Sequence, residues 1–396
     1  MEMDRIKVLH IITGLDVGGA ENMLYKLLSC MERDNFSAEV VSLTDIGPVG
    51  EKIRALGVPV RAIGMKRGVP EPLAVWRLSR SLRKSRPDLI QTWMYHADLL
   101  GGIAARLAGG FPVVWGVHHS NLALQANKRT TIWTAMACAW LSRYLPIRIV
   151  CCAEASRRLH AELGYAAEKL QVIHNGFDLA AFQPDETARL SVRRELGISD
   201  TALLTGLVGR FDRQKDHGNF VQTAAIVSAR FPEAQFLLCG QGVVRENAEL
   251  AGWIEAAGIG SRCHLLGQRD DVPRLLAALD IAVSSSLGEA FPLAVGEAMA
   301  CAVPCAVTDV GDSALLVGDT GRVAMPANPQ ALAKACGELL EMSAASRNLL
   351  GAAARRRIQE NFDLLHTASI YDKLYREVLA LKGARAAQER GKDSEG

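Results

Sequence analysis

Leu287-Gly288-Glu289-Ala290-Phe291-Pro292-Leu293-Ala294-Val295-Gly296-Glu297-Ala298-Met299-Ala300 sets two carboxylates eight positions apart in what reads as a strand, a tight loop and a helix. Asp280-Ile281-Ala282-Val283-Ser284-Ser285 before it is a short apolar strand, and residues 298–302 continue as strong helix formers. Pro292 suits a first helical position, which leaves Glu289 in the loop and Glu297 about a turn and a half into the helix. The amides of Phe291, Leu293 and Ala294 would then point out of the helix N-terminus, where the helix dipole favours an anion. Such a place can hold a phosphate. One carboxylate beside it can take sugar hydroxyls, and the second, reaching back from the helix, can take another diol such as a ribose. An ordinary crossover with solvated glutamates fits the same spacing.

The Glu289-x7-Glu297 pair inside GEAFPLAVGEAMACAVP resembles the signature of the retaining nucleotide-sugar glycosyltransferases of family 4, the large bacterial group 1 family. The resemblance implies an α/β chain of the GT-B fold: two doubly wound Rossmann-like domains facing across a cleft. It also implies a nucleoside-diphosphate-sugar donor as co-substrate, with no cofactor; no Asp-x-Asp follows a strand at a cleft edge, and with the two cations Arg210 and Lys215 present no divalent metal is expected. Glu289 would hold sugar hydroxyls and Glu297 the ribose diol.

Outward from that stretch, the first half alternates strands and helices. Ile6-Lys7-Val8-Leu9-His10-Ile11-Ile12 reads as a buried parallel strand, followed by the glycine-rich loop Thr13 to Glu21 and a helical pattern at Met23, Leu24, Leu27 and Leu28. Such a loop brings backbone amides close to a phosphate, or simply lets the helix pack on the sheet. In the resembled family it faces the donor diphosphate and the acceptor, which assigns Gly18 and Gly19. Strands at 38–43, 58–63 and 88–92 and helices at 49–56 and 73–85 continue the alternation, the pattern of a doubly wound sheet. The 73–85 helix and its approaches carry Lys66, Arg67, Arg77, Arg80, Arg83, Lys84 and Arg86 against Glu71 and Asp88. That face can rest on anionic lipid headgroups or be solvated.

Val113-Val114-Trp115-Gly116-Val117 is the next strand, ending at His118-His119-Ser120. The carboxyl end of a parallel strand is where α/β ligands bind. The family's register selects His118 as the residue that contacts the transferred sugar, with His119 as its neighbour and rival. Where the family often has threonine, this chain has Gly116. Residues 127–146 read as an amphipathic helix whose Trp133, Trp140 and Tyr144 suit core packing, or an interfacial role with Lys128, Arg129 and Arg143. Strands at 148–152 and 171–173 close this half. His174-Asn175-Gly176-Phe177-Asp178 resembles the family's turn between domains.

The second half opens with a strand at 202–208, then Arg210 and Lys215, five apart before a helix at 219–229. Two cations at a helix N-terminus make structural sense when an anion sits there. The spacing matches the family's Gly-Arg-x4-Lys diphosphate clamp. Leu265, in His264-Leu265-Leu266-Gly267-Gln268, lies in the segment whose backbone receives the nucleobase in that family. Gly311-Asp312-Ser313 departs from its usual Gly-Gly-x-x-Glu.

These readings divide the chain into an acceptor-side domain at 1–184, a polar linker at 185–200, a donor domain at 201–362, a helix at 363–382 crossing back to the first domain, and a disordered tail at 383–396. The 396 residues, 49% hydrophobic, can fill two cores, and 45 basic against 43 acidic residues give no field that favours nucleic acid. Nine scattered cysteines lack metal spacing or a disulfide pattern and suggest a reducing cytoplasm. No apolar run approaches the ~20 residues of a membrane span. The expected activity is retaining transfer of a hexose-like sugar to a glycan or lipid-linked acceptor in surface polysaccharide assembly, at the cytoplasmic face of the inner membrane with peripheral contact to anionic lipid. A GT-B epimerase, a glycan phosphorylase, a nucleotide-sugar binding protein and a membrane-surface scaffold are the alternatives.

Overall fold

The computed structural model describes residues 5–66, 72–119 and 128–393. The chain forms two compact units, Met1–Gly176 with Leu364–Gly396, and Phe177–Asp363.

The first unit runs β1 (Ile6–Ile12), α1 (Gly19–Cys30), β2 (Phe36–Ser42), α2 (Gly47–Ala55), β3 (Val60–Ala62), α3 (Pro72–Ser85), β4 (Leu89–Trp93), α4 (Tyr95–Ala108), β5 (Val113–Val117), α5 (Arg129–Leu141), β6 (Arg148–Cys151), α6 (Glu154–Glu162) and β7 (Leu170–Val172). Among the described residues its strands form one parallel sheet in the order β3-β2-β1-β4-β5-β6-β7. Alternate side chains enter opposite faces: Val8 and Ile12 lie in one core, Leu9 and Ile11 in the other. β1 and β4 are the neighbours at which strand order reverses, the point where open α/β sheets place ligands.

The second unit runs α7 (Glu186–Leu196), β8 (Leu204–Val208), α8 (His217–Arg230), β9 (Gln235–Cys239), α9 (Ala248–Ala256), β10 (Cys263–Leu265), α10 (Val272–Ala277), β11 (Ile281–Ser284), α11 (Leu293–Ala300), β12 (Cys305–Thr308), α12 (Ser313–Val317), β13 (Arg322–Ala324), α13 (Pro329–Leu340) and α14 (Ala344–Asn361). Its parallel sheet has the order β10-β9-β8-β11-β12-β13, reversing between β8 and β11. The last helix, α15 (Leu364–Asp393), belongs to the first unit and packs Ala368, Tyr371, Leu374, Tyr375 and Val378 into its core.

Four expectations need correction. Residues 185–200 are no linker: Asp185 caps α7 by accepting the Ala188 amide, and Gly197 ends it at φ 67°. The polar side chains there are structural, since fully buried Arg193 and half-buried Arg189 both bind Asp280, each at 2.7 Å. The change of unit falls at 176/177 instead. Residues 383–393 are helix rather than tail, because Ala, Arg, Gln and Glu sustain it past Gly383; residues 394–396 lie outside the described residues. Trp133, Trp140 and Tyr144 are exposed, not core. Helix α5 is apolar nearly all round, so its pattern names no inner face, and the small Ala135, Cys138 and Ala139 take it where α4 approaches. Helices α4 and α6 add to the elements expected from the sequence. Arg67, Glu71, Ser120 and Asn127 lie outside the described residues.

Candidate active site

In the second unit, β8 leads through Gly209 and Arg210 into a short turn at Arg213–Lys215, capped by Asp212, and Asp216 at φ 49° then caps α8. This segment is stitched to the end of β11. The Ser285 hydroxyl donates to the carbonyls of Lys215 and Asp216 at 2.8 and 2.9 Å, and the Leu287 amide donates to the Gln214 carbonyl at 2.7 Å. Lys215 Nζ is thereby delivered to Glu289 Oε1 at 2.5 Å, and the Ser286 hydroxyl donates to the same oxygen at 2.7 Å. A recess holds Lys215, Ser285, Ser286, Glu289, Pro292 and Ala294 together.

Pro292 stands at the N-cap of α11, with ψ 96°, rather than in its first turn. Among the described residues no side chain caps the start of this helix, and the amides of Val295 and Gly296 turn inward to the Pro292 carbonyl at 3.1 and 3.3 Å. The first helical amides are therefore those of Leu293 and Ala294, and Ala294 lines the recess. Phe291 is an anchor as well as an amide: its buried ring packs on Phe177 and Phe362, with centroids 5.9 and 5.5 Å away. Beneath the loop, the Asp312 amide donates to the Ala290 carbonyl at 3.1 Å. Gly311, at φ +56°, is so close that an added Cβ would fall 2.1 Å from the Glu289 carbonyl oxygen.

Arg210 is exposed and pairs with Asp212 at 3.3 Å, outside the recess. Glu297, the fifth residue of α11, is half-buried, and Leu265 ends β10 beside Leu238 of β9. Neither lines the recess. His217, which opens α8, is buried against Phe211, and burial pushes its imidazole down to about 4.

In the first unit, Gly18 is the extended N-cap of α1 and Gly19 its first residue. His118 follows β5, its ring stacked on Trp93 at 5.1 Å, and its Nε2 has no hydrogen-bond partner among the described residues. His119 stacks instead on Tyr95 at 5.4 Å, whose hydroxyl meets His160 Nε2 at 2.7 Å. Burial first, then His119, pushes His118 down to about 3. Gly116 is required by packing, because a Cβ there would lie 2.7 Å from the Thr92 carbonyl oxygen.

Sequence reasoning missed the polar set below His118. Trp93 Nε1 donates to His10 Nδ1 at 3.2 Å, and Tyr371 of α15 stacks near Trp93 at 6.3 Å. Asp98, fully buried in α4, accepts from the Thr92 hydroxyl at 2.5 Å and from the Gly116 amide at 3.3 Å. Desolvation raises its carboxyl well above the usual range. The missing signal was α4 itself. Ser286, also missed, was legible as a small polar residue three before Glu289 at a strand end.

Among the described residues no group of three or more His, Cys, Asp or Glu gathers as a metal site, and no helix is long and apolar enough to cross a membrane.

Two family descriptions match successive parts of the chain: Glycosyltransferase Family 4 over residues 17–181 and Glycosyl transferases group 1 over 203–342. The chain is 26% identical over 325 residues to the Escherichia coli UDP-Gal:alpha-D-GlcNAc-diphosphoundecaprenol alpha-1,3-galactosyltransferase, covering 79% of this chain and 82% of that one. It is 28% identical over 289 residues to the lipopolysaccharide core biosynthesis mannosyltransferase LpcC of Rhizobium leguminosarum bv. viciae, covering 64% and 80%. HepE of Anabaena, solved in complex with UDP and glucose, matches at a TM-score of 0.81 and 23% identity, over 93% of this chain and 99% of that one. The fold is GT-B, and the chain belongs to the family-4, group 1 glycosyltransferases.

Proposed function

We propose that the protein transfers a hexose-like sugar from a nucleoside-diphosphate-sugar to a hydroxyl of a glycan or lipid-linked acceptor, with retention at the anomeric carbon, in surface polysaccharide assembly at the cytoplasmic face of the inner membrane. The observation that carries this reading is the single recess in which Lys215, Glu289 and the N-terminus of α11 meet. A cation and helix amides receive a leaving diphosphate, and a carboxylate beside them receives sugar hydroxyls. The Escherichia coli relative, named for UDP-Gal and a GlcNAc-diphosphoundecaprenol, and HepE, solved with UDP and glucose, support the donor and acceptor classes.

In the transition state the sugar becomes oxocarbenium-like while the diphosphate gains charge. Lys215, Arg210 and the amides of Phe291, Leu293 and Ala294 stabilise that charge, each charge-assisted bond contributing about 1.5–3 kcal/mol. We propose that these groups act without a divalent metal. Glu289 orients the sugar, Glu297 takes the ribose diol, and Leu265 lies where the base is received. Gly18 and Gly19 are assigned to the diphosphate and acceptor, and His118 to the transferred sugar. No covalent carboxylate is invoked; the leaving phosphate deprotonates the acceptor on the same face.

The test is a thermal-shift panel of UDP-, GDP-, ADP- and dTDP-sugars in the presence of EDTA, on wild type and Arg210→Ala/Lys215→Ala, followed by determination of the product anomer. A donor at 100 times its dissociation constant stabilises the fold by about 2.7 kcal/mol. One base should shift the wild type and not the variant, and the product should keep the donor's anomeric configuration. An equal shift in the variant, or an inverted product, overturns the reading.

A further inference from the structure

α3, α4 and α5 lie side by side over one face of the first unit's sheet, with α4 between the other two. Leu78 and Leu82 of α3, Ala104 and Ala105 of α4, and Ala135 and Ala139 of α5 share one core. The outward side of this layer is unusual for a surface that meets only water. Leu73, Trp76, Trp133, Met136, Trp140 and Tyr144 are each 59–70% exposed. In α5 and the turn after it they stand at 133, 136, 140 and 144, one stripe at helical spacing, and the Trp140 and Tyr144 rings meet edge-on at 6.1 Å.

Cations frame these rings. In α3 the outward stripe 73, 76, 77, 80, 83 and 84 adds Arg77, Arg80, Arg83 and Lys84 to Leu73 and Trp76, and the Arg80 guanidinium lies 5.6 Å from the Trp76 ring centre. Exposed Lys128 and Arg129 stand at the start of α5, and exposed Arg143 just beyond its end. Among the described residues the three helices bring almost no acid: neither α3 nor α5 contains Asp or Glu, and the one in α4, Asp98, is fully buried.

A second copy docked through this face would bring the cations of α3 and α5 against each other, and neither helix offers a carboxylate of its own. An anionic bilayer surface satisfies both features. Tryptophan and tyrosine settle at headgroup depth with ring in the apolar boundary and polar edge in water, and lysine and arginine meet lipid phosphates. We propose that the outer surface of the α3–α4–α5 layer seats the protein on an anionic lipid bilayer, with α5 supplying the interfacial aromatics and α3 the headgroup cations. This deepens the lipid-linked-acceptor reading, on which its biological purpose rests.

The experiment is co-sedimentation of the full chain with phosphatidylcholine vesicles and with vesicles containing phosphatidylglycerol. Arg77→Glu/Arg80→Glu/Lys84→Glu and Trp133→Ser/Trp140→Ser/Tyr144→Ser are compared with wild type. All six positions are exposed, and the donor-induced thermal shift serves as the folding control. Wild type should bind the phosphatidylglycerol vesicles and lose binding at high salt. The charge variant should fall on the order of 100-fold, at about fivefold per basic residue even before reversal is counted. The aromatic variant should fall at least tenfold. Absence of wild-type binding, or equal binding by either variant, overturns the proposal. Loss of self-association in the aromatic variant with unchanged vesicle binding assigns the face to a second copy and overturns it too. Vesicle binding by a wild type that transfers no sugar to any lipid acceptor would sink the acceptor reading and leave the surface standing.

Discussion

Lys215 Nζ and Glu289 Oε1 lie 2.5 Å apart although 74 residues separate them in the chain. The pair joins the segment after β8 to the loop after β11, across the point where strand order reverses. On the proposed donor site, an arriving diphosphate would share Lys215 with a carboxylate already bound to it.

That competition separates two variants. Glu289→Gln releases Lys215 from its anionic partner, so nucleoside diphosphate affinity should be retained or rise several-fold, while kcat falls on the order of 100-fold as the sugar loses a charged anchor. Lys215→Met should weaken the nucleotide itself by tenfold or more. Calorimetric titration with steady-state kinetics reads both, and parallel losses of nucleotide affinity in the two variants would show that Glu289 supports Lys215 rather than competing for it.

His118→Ala should lower kcat by about 100-fold while leaving the nucleotide-induced thermal shift unchanged, because the role proposed for His118 is to contact the transferred sugar, while the charged clamp residues Arg210 and Lys215 lie in the other unit. Burial holds its imidazole near 3, so the ring stays neutral through the ordinary assay range. The kcat/KM profile between pH 5 and 8 should therefore have the same shape in wild type and His118→Asn. A wild-type inflection near 6.5 that the variant lacks would contradict this.

Asp98 is buried with no cation beside it among the described residues, and its raised pKa means the folded chain keeps a proton that the unfolded chain releases above about 3.8. Its contribution to stability therefore declines as pH rises, by up to about 1.4 kcal/mol per pH unit. Asparagine does not titrate, so the melting temperature of Asp98→Asn relative to wild type should climb between pH 5 and 8. A flat or falling difference would mean that Asp98 is ionised in the fold.

His10 and His160 are fully buried and pushed down to about 3 and about 4 by desolvation. Below the unfolded value near 6.5 the unfolded chain binds protons that the folded chain refuses, so stability is lost as pH falls from 6.5 toward 4. His160→Gln should make the melting temperature less acid-sensitive across that window.

Gly311→Ala should cost about 1–3 kcal/mol, because it adds a Cβ to a φ of +56° and drives it into the Glu289 carbonyl. Relief requires moving the loop that holds Glu289, so kcat should fall more than the melting temperature alone would suggest. Wild-type kcat in the folded variant would show that the loop adapts.

Much of the fold was legible. Strands such as 113–117 are unbroken apolar runs because both faces of a parallel strand are covered, and the alternation with helices names a doubly wound sheet. The helix at 186–196 had readable caps in Asp185 and Gly197, but its polar composition suggested solvent, since only the fold brings Asp280 to Arg193. The inner face of α5 was illegible for the opposite reason: from Ile132 to Leu141 only Thr134 is polar, so the apolar pattern points to no one side.

The sequence alone determined which residues are candidates for the chemistry, because a loop between a strand and a helix N-terminus, with Glu289 and Lys215 at set spacings, is a local pattern. Tertiary structure alone decided which of them meet. It sets Lys215 on Glu289, leaves Arg210 with Asp212, buries Asp98 under the strand that ends at His118, and turns the α5 aromatics outward. Local spacing fixes a residue's place on its own element, whereas contacts between elements far apart in the chain depend on strand order and helix packing, which no single segment encodes.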